Sequence, residues 1–485
     1  MRALRSAVFA LALCGAATAD AAAQVELTPA WGGWSRPDRV TEIAVRVQTD
    51  SATRGAVEVL SGKQSLRAAL ELAAGDSRRF DLTVPAAATV EAAIALEGRP
   101  RDERAIALSL SESPLLAVAL ADGGGAQLTG FHAVTVGAND LPRGVAAYGS
   151  VDAVVIDGTT LRALESTQLV ALIGHAAACG RLALVAPAPD AQRLLEGSAG
   201  CGARMLVSAD SPQAAIESLA ATLANPATTP ASAADLSSLL RPETSAWPRM
   251  VAALAATFAI MSLALLLTAS TRVLLIVPLL ATLAIGLLLR TGEPRTRLVV
   301  WAEAAPAVRV AQYRAWQQVA GTARGDLGVP VLAGLGQPQA CDAQRPVQFE
   351  VDAARGRPTG ALFAGRLFDT VAVCYSGNFP VMRAVRVTPL AGGAVEIRND
   401  GALAWPAASF VATGGVQPLP ALGPGMTVSL QTNDGQPPRD AAQRAALTRT
   451  PYGGYAVLWP LALDTVTDAP VASAAWLLVP IEGPT

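Results

Sequence analysis

Hydrophobic positions are most concentrated in one stretch near the middle of the chain. Residues Met250–Ser270 and Val273–Leu289 contain no charged side chain and are separated only by Thr271 and Arg272. A helix needs roughly 20 apolar residues to cross a bilayer, and one straight helix through both runs would place Arg272 in the hydrocarbon core. We therefore expect a two-helix transmembrane hairpin over residues 248–290. The alternative is a buried helical pair in a soluble core, which the length of the uncharged run disfavours.

Before this stretch, residues 24–112 alternate between apolar and polar positions. Ile43, Val45 and Val47 show the period of two that is typical of a half-buried strand. Further runs of this kind are separated by Gly, Pro and Asp turns, so the pattern predicts an N-terminal β-sandwich. These runs are Val57–Leu60, Ser65–Leu72, Arg79–Val84, Thr89–Glu97 and Ile106–Ser111.

Residues 113–225 follow a different rhythm, in which buried-type strands alternate with helices. This alternation predicts an α/β domain with a doubly wound parallel sheet. The predicted strands are Leu115–Leu120, Ala133–Val136, Val151–Ile156, Leu182–Val185 and Arg204–Val207, and the predicted helices are Leu161–Ala178, Asp190–Leu195 and Pro212–Leu223.

The stretch YGSVDAVVIDGTTLRALESTQLVALIGHAAACGRLALV within this domain resembles class I glutamine amidotransferase-like domains of bacterial membrane proteins. Active members carry a nucleophilic cysteine on a sharp strand-to-helix turn, served by a downstream histidine and an acid. Here the turn after Leu182–Val185 reads APAPD, Cys179 precedes its strand, and neither His132 nor His175 follows a suitable nucleophile. The resemblance therefore implies a degenerate domain used for binding or scaffolding.

Three side chains in these two domains are candidate ligand-binding residues. Asp157 sits at the carboxyl end of a predicted strand, where doubly wound sheets place ligands, although a helix-start cap would explain it as well. Trp31 and Trp34 flank a Gly-Gly pair and could stack on sugar rings, or they could cap one end of the sandwich core. His175 lies on a helix face, where we expect a solvated side chain or a cation at the helix C-terminus.

The remaining segments are predicted to be a linker and a third domain. Residues 226–247 are rich in Pro, Ser, Thr and Ala and read as a linker. Residues 291–485 return to short alternating runs, which predict a mostly β, sandwich-like C-terminal domain. Within it, apolar residues recur every three positions over Val310–Ala320 and indicate a short amphipathic helix.

Residues 1–23 have the three parts of a secretory signal peptide. Arg2 and Arg5 precede a short apolar run, and small residues allow cleavage after Ala23. Export followed by two membrane crossings would place the protein in the bacterial inner membrane with both large domains in the periplasm. Four cysteines remain after cleavage, two on each side of the apolar stretch. They predict the disulfides Cys179–Cys201 and Cys341–Cys374, with four buried thiols as the alternative.

Composition limits the chemistry further. The formal net charge of -2 gives no reason to expect a nucleic-acid partner. The chain has 2 histidines, so a histidine-based metal site has almost nothing to draw on, and we predict neither a metal nor a cofactor.

These patterns favour a non-enzymatic inner-membrane protein that presents periplasmic modules as an assembly or accessory subunit of a cell-envelope complex. The expected partners are the lipid bilayer and other envelope membrane proteins. A second hypothesis is a polysaccharide-binding accessory subunit of an exopolysaccharide secretion system, with Trp31 and Trp34 on the glycan. A third is a hydrolase with an unrecognised site, for which Asp157 is the only anchor.

Overall fold

The computed structural model describes most of the chain from residue 23 onward. The described residues are 23–37, 39–98, 100–123, 129–199, 206–223, 236–240, 255–260, 262–263, 295–304, 310–321, 326–332, 334–342, 344–354, 356–364, 369–381, 385–450, 454–461 and 472–481. Almost all of the predicted signal peptide and most of the predicted linker lie outside them.

The N-terminal segment folds into strands whose two faces differ in polarity. On β4, for example, Val57 and Val59 are fully buried while Glu58 between them faces outward. The β4–β5 hairpin turns at Gly62, whose φ of 61° lies in the left-handed region that favours glycine. The strands are β1 (Gln24–Pro29), β2 (Trp34–Ser35), β3 (Val40–Gln48), β4 (Thr53–Ser61), β5 (Gln64–Leu72), β6 (Ser77–Pro85), β7 (Thr89–Leu96), β8 (Asp102–Ala107) and β9 (Ser109–Leu110).

The next segment forms a parallel sheet with helices on both faces. The strand order is β11-β10-β12-β13-β14, and every neighbouring pair is parallel. Helices α2 and α3 pack on one face of the sheet and α4 packs on the other. The elements are β10 (Leu115–Ala119), β11 (His132–Thr135), β12 (Ala153–Asp157), α1 (Gly158–Ala163), α2 (Ser166–Ala177), β13 (Leu182–Val185), α3 (Pro189–Ser198), β14 (Leu206–Ala209) and α4 (Pro212–Leu223).

The C-terminal segment is again dominated by strands. Its helices α5 and α6 pack together on the outer face of a large sheet. The elements are α5 (Ser237–Leu240), β15 (Arg295–Glu303), β16 (Val310–Gly321), β17 (Leu327–Pro330), β18 (Pro338–Ala340), β19 (Val347–Asp352), β20 (Arg357–Phe363), β21 (Asp369–Pro380), β22 (Val385–Pro389), β23 (Ala394–Asn399), β24 (Ala408–Ala412), β25 (Gly415–Leu419), β26 (Thr427–Gln431), α6 (Ala441–Arg449), β27 (Tyr455–Pro460) and β28 (Ala472–Ile481).

The two β segments share one sheet and one core. A seven-stranded sheet has the order β17-β20-β19-β5-β4-β7-β8, so C-terminal strands continue directly into N-terminal ones. The junction is the parallel pair β5 and β19, with Val347 opposite Gln64. Phe80 from the first segment and Phe349 and Phe363 from the second are buried in the same cluster. The sequence predicts two separate β domains, and the structure joins them into one framework into which the α/β unit is inserted.

A second large sheet packs against this shared core. Its eight strands have the order β18-β21-β16-β15-β28-β27-β24-β25. One face contributes residues such as Val300 and Trp459 to the shared core, while the other face is covered by α5 and α6. Together with the seven-stranded sheet it makes the β framework a layered structure.

The predicted transmembrane hairpin over residues 248–290 is corrected by the structure. Most of this range lies outside the described residues, and only residues 255–260 and 262–263 are described, as helix. Among the described residues, no helix combines the length and the apolar character needed to cross a bilayer. A spanning segment requires one continuous helix of roughly 20 residues, which a long apolar run in the sequence does not by itself guarantee. The described chain is a β-rich framework with an inserted α/β unit.

The predicted amphipathic helix over Val310–Ala320 is also wrong, because this segment is strand β16. It pairs with β15 on one side and with β21 on the other, both antiparallel. Ala311, Tyr313 and Ala315 are buried and the residues between them are less so, which is the strand period of two. Apolar residues also fall at every third position here, and that coincidence suggested a helix.

Candidate functional site

A cleft of about 520 Å³ opens at the carboxyl edge of the parallel sheet. Strands β10, β12 and β13 all end at this edge, which is where doubly wound sheets bind ligands. The edge also contains the point where the strand order reverses, because β11 and β12 lie on opposite sides of β10. The cleft is lined by Leu120, Asp122, Asp157, Gly158, Thr159, Arg162, Val185, Ala186, Pro187, Ala188 and Pro212.

Asp157 is the last residue of β12 and forms part of the cleft wall. Its Oδ1 accepts a hydrogen bond from the N–H of Thr160 at 2.6 Å, which caps α1, and its Oδ2 accepts one from the N–H of Ala121 at 2.8 Å. Burial alone would raise the pKa of Asp157, but hydrogen bonds from Thr160, Ala121 and Thr159 outweigh it and hold the pKa below its ordinary value. Asp157 is therefore a helix cap that also faces the cleft, and it is a poor proton acceptor.

Gly158, the residue after Asp157, allows the ends of β12 and β13 to approach each other closely. A Cβ at Gly158 would lie 2.5 Å from the carbonyl oxygen of Ala186, a distance that no side chain tolerates. Ala186 itself has a φ of 42°, which is unusual for a residue with a side chain. Its N–H donates to the carbonyl of Ala209 at 2.9 Å, which ties this turn to the end of β14. The close approach of Gly158 and Ala186 forms the floor of the cleft.

The remaining polar groups of the cleft are Asp122, Thr159 and Arg162. Arg162 is exposed, and its Nε donates to the carbonyl of Gly158 at 3.1 Å. The lining residues include no cysteine, serine or histidine. The cleft therefore offers one guanidinium, one hydroxyl and two carboxylates to a ligand, and its described lining assembles no nucleophile with an adjacent base.

At the opposite, amino edge of the sheet, the α/β unit is joined to the β-sandwich by Trp31. Its side chain is 0% exposed, and the indole Nε1 donates to the carbonyl of Ala147 at 3.1 Å. The ring meets Tyr148 edge to face with centroids 5.2 Å apart. Trp31 belongs to the core of the α/β unit although it follows β1 of the sandwich.

Charged groups reinforce this contact. Glu42 on β3 is 3% exposed and accepts hydrogen bonds from the backbone N–H groups of Arg143 and Gly144 at 2.9 and 2.7 Å. Burial raises the pKa of Glu42, and the two backbone hydrogen bonds work against that rise. Arg143 also bridges Asp81 and Glu165, with nitrogen–oxygen distances of 3.6 and 2.5 Å. Strands β3 and β6 of the sandwich are thus held against the loop that precedes β12 of the α/β unit.

His175 is enclosed by the same contact. Its ring stacks on Tyr148 with centroids 4.9 Å apart, and its Nε2 is buried without a hydrogen-bond partner among the described residues. Burial lowers the pKa of His175 to about 4, although a hydrogen bond with the backbone of Arg181 opposes this. The sequence predicts a solvated or cationic side chain here, whereas the structure contains a neutral imidazole at neutral pH.

The structure separates the three candidate ligand residues. Asp157 faces the cleft, while Trp31 is fully buried at the other edge of the sheet. Trp34 is half-buried and its ring lies against His132 with centroids 4.4 Å apart. Stacking on a sugar needs an exposed aromatic face, which Trp31 does not offer.

Cysteine pairing can be followed in part. Cys341 and Cys374 form a disulfide with their Cα atoms 5.0 Å apart. Cys179 is also disulfide-bonded, while Cys201 lies outside the described residues. Among the described residues, no group of three or more His, Cys, Asp or Glu side chains is placed to hold a metal ion.

Sequence patterns missed several residues that build these contacts. Glu42 and Arg162 stand in no motif, and nothing local marks them as functional. In the structure residues 41–45 of β3 are all buried, so this strand is covered on both faces, but Thr41 and Glu42 are polar and gave no sign of a second covered face in the sequence. The α/β unit covers that second face.

Comparisons with known proteins identify no relative. No protein-family model matches the chain, and no curated protein matches it. Among solved structures, the yeast delta-COP-I mu-homology domain complexed with Dsl1 WxWxV peptide is 8% identical at a TM-score of 0.20, covering 39% of this chain and 98% of that one. The cycloisomaltooligosaccharide glucanotransferase of Paenibacillus sp. is 12% identical at a TM-score of 0.18, covering 34% of this chain and 28% of that one. Likenesses this low carry no argument about fold or function, so the protein is defined by its own architecture, a β framework with an inserted α/β unit.

Proposed function

We propose that the protein is a non-catalytic, extracytoplasmic binding protein, an accessory or assembly subunit of a cell-envelope complex. In this proposal the β framework holds the α/β unit in one orientation, and the cleft at its carboxyl edge is the face that a partner contacts. The observation that carries it is the fixation of the amino edge, where Trp31 and Glu42 bind the sandwich to the α/β unit. A module fixed at one edge presents the other edge reproducibly.

The chemistry of the cleft supports binding over catalysis. A general base at neutral pH needs a raised pKa and a free lone pair. Asp157 has a lowered pKa, and each of its oxygens already accepts a backbone hydrogen bond. Arg162 and Thr159 are instead well suited to hydrogen-bond a ligand, because both are exposed at the rim.

Two observations support an extracytoplasmic location. Disulfides persist mainly in oxidising compartments, and Cys341 and Cys374 are joined by one. Residues 1–23 carry the sequence pattern of a secretory signal, although their structure lies outside the described residues apart from Ala23. Both observations favour a protein that is exported.

The proposal is tested by site-specific photo-crosslinking in cells. A photoreactive amino acid placed at Thr159 or Arg162 should give a discrete crosslinked product, because both positions line the cleft. The matched control is Glu71, an exposed residue of β5 on the framework that should give no such product. Equal crosslinking from all three positions, or none from the cleft, contradicts a partner site there.

A second measurement separates binding from the hydrolase hypothesis. Activity-based probes for serine, threonine and cysteine nucleophiles should leave the purified protein unmodified. A covalent adduct that maps to a cleft residue such as Thr159 would refute the non-catalytic assignment while leaving the location of the site intact.

A further inference from the structure

A cluster of arginines lies where the sandwich meets the amino edge of the parallel sheet. Arg36 and Arg39 come from the sandwich, and both reach Asp152, which precedes β12. The Nη1 of Arg36 lies 2.9 Å from Oδ2 of Asp152, and the Nη2 of Arg39 lies 3.8 Å from Oδ1. Arg181 precedes the neighbouring strand β13, and the charge of Asp152 acts on its guanidinium as well. Two guanidinium groups therefore contact one carboxylate, and a third lies within range of its charge.

The carboxylate of Asp152 already accepts several hydrogen bonds. Besides the two arginines, Oδ2 of Asp152 accepts a hydrogen bond from the N–H of Leu115 at 2.9 Å. The Nε atoms of Arg36 and Arg181 are buried and have no hydrogen-bond partner among the described residues. A buried donor without a partner is costly, and more so when it belongs to a charged group. The described side chains of this cluster carry more positive charge and more donors than Asp152 can satisfy.

The cluster is also accessible. The side chain of Arg39 is 49% exposed and that of Arg36 is 23% exposed, so the cluster opens to solvent on the sandwich side. Burial lowers the pKa of Arg181 and Asp152 opposes that change, which places this guanidinium in a partly desolvated environment next to an acid. Asp38, between the two sandwich arginines in the sequence, lies outside the described residues.

We propose that Arg36, Arg39 and Arg181 form a binding site for a small oxyanion at the junction between the sandwich and the α/β unit. Guanidinium groups present planar pairs of N–H donors that match the oxygens of phosphate, sulfate or carboxylate. Asp152 orients two of the arginines, and the Nη1 of Arg39 also donates to the carbonyl of Gly149 at 3.3 Å. A bound oxyanion would connect one arginine of the α/β unit with two of the sandwich and so strengthen the contact between them. This site is distinct from the cleft, and it stands independently of the proposed function.

The test uses the purified full-length protein and inorganic phosphate as the probe. Thermal unfolding is followed as phosphate is added at constant ionic strength, with chloride as the compensating anion. A ligand that binds the folded state raises the unfolding midpoint in a saturable way. Arg39→Gln is expected to weaken the apparent affinity about tenfold, which corresponds to about 1.4 kcal/mol. Arg54→Gln, which removes an exposed arginine paired with Glu71, is the matched control and should leave the affinity unchanged.

Equilibrium dialysis with labelled phosphate supplies a readout that does not depend on stability. One bound phosphate per chain that is lost in Arg181→Gln, with the fold intact by circular dichroism, supports the proposal. Replacing phosphate with sulfate or acetate then shows which oxyanion the site prefers. The proposal is overturned if phosphate raises the midpoint no more than chloride does, or if Arg39→Gln and Arg54→Gln respond alike. It is also overturned if dialysis finds no bound anion.

Discussion

Replacing Trp31 should loosen the α/β unit from the sandwich, because this one side chain belongs to both. It is fully buried, donates to the carbonyl of Ala147 and packs edge to face on Tyr148. Its φ of 56° lies in the left-handed region, which costs a residue with a side chain about 1–2 kcal/mol. The burial and contacts of the indole ring stabilise the fold by more than this backbone conformation costs.

The expected loss of stability follows from these contacts. Truncating a buried tryptophan to alanine removes roughly 3–5 kcal/mol. Trp31→Phe retains most of the ring packing and removes the N–H donor, while the carbonyl of Ala147 still accepts a hydrogen bond from the hydroxyl of Ser150 at 2.7 Å, so this change should cost only about 0.5–1.5 kcal/mol. Trp34→Ala is the matched control: this ring is half-buried and makes one tilted contact with His132, so the loss should be smaller than for Trp31→Ala.

Hydrogen exchange measured by mass spectrometry is the suitable assay, because it reports the contact locally. Trp31→Ala should raise exchange in residues 145–150 and in β3, which face each other across the contact, while β5 and β4 near the centre of the seven-stranded sheet stay protected. The reasoning is refuted if Trp31→Ala leaves exchange at the contact unchanged. It is also refuted if Trp31→Ala destabilises the protein no more than Trp34→Ala. If Trp31 served a glycan, its replacement would instead abolish glycan retention and leave stability intact.

Three further predictions follow from single contacts. The folded-state pKa of His175 is about 4 and lies below its value of 6.5 in the unfolded chain. The contribution of neutral His175 to the free energy of unfolding is therefore complete above pH 6.5 and is lost as the pH falls toward 4. Urea unfolding should lose at most about 3 kcal/mol over this window, and His175→Gln should flatten the dependence. Removing the Cys341–Cys374 disulfide by a double replacement with serine should cost about 3–4 kcal/mol in denaturant titrations, because the bridge closes a loop of 33 residues; an unchanged midpoint would contradict this. Gly158→Ala should lower the thermal midpoint, because the added Cβ would clash with the carbonyl of Ala186. A Cβ at Gly197 in α3 meets open space, so Gly197→Ala should raise the midpoint and increase the free energy of unfolding by up to about 1 kcal/mol. Equal effects of the two replacements would refute the close approach at the cleft floor.

The α/β unit is predicted well because each of its sequence signals lies within a short segment of the chain. Buried runs of five or so residues alternate with helical runs, and this fixes a parallel sheet whose strand ends share one edge. Asp157 is placed at that edge by sequence position alone, since it follows the apolar run of β12. Its two roles, as cap and as cleft residue, are both visible in the structure because the first turn of α1 begins at the cleft.

Long-range pairing could not be predicted in the same way. The alternation in β5 and in β19 says that each is a strand, but a period of two does not name the neighbour. Trp31 illustrates the same limit, because a tryptophan beside two glycines looks identical in sequence whether it faces solvent or fills another unit's core. In β16, apolar residues satisfy the helical and the strand periods at once, and hydrogen bonding by β15 and β21 decides for the strand.

The insertion of the α/β unit into the β framework has a consequence for how the protein is held together. The parallel contact of β5 with β19 joins residues far apart in the chain, and closing so long a loop is compensated only when both β segments are present. Without β19, strand β5 would become an exposed edge with unpaired backbone N–H and C=O groups. The α/β unit is therefore carried by a framework that both ends of the chain must complete. A module mounted in this way keeps its cleft in a fixed orientation. The proposed accessory role requires this property.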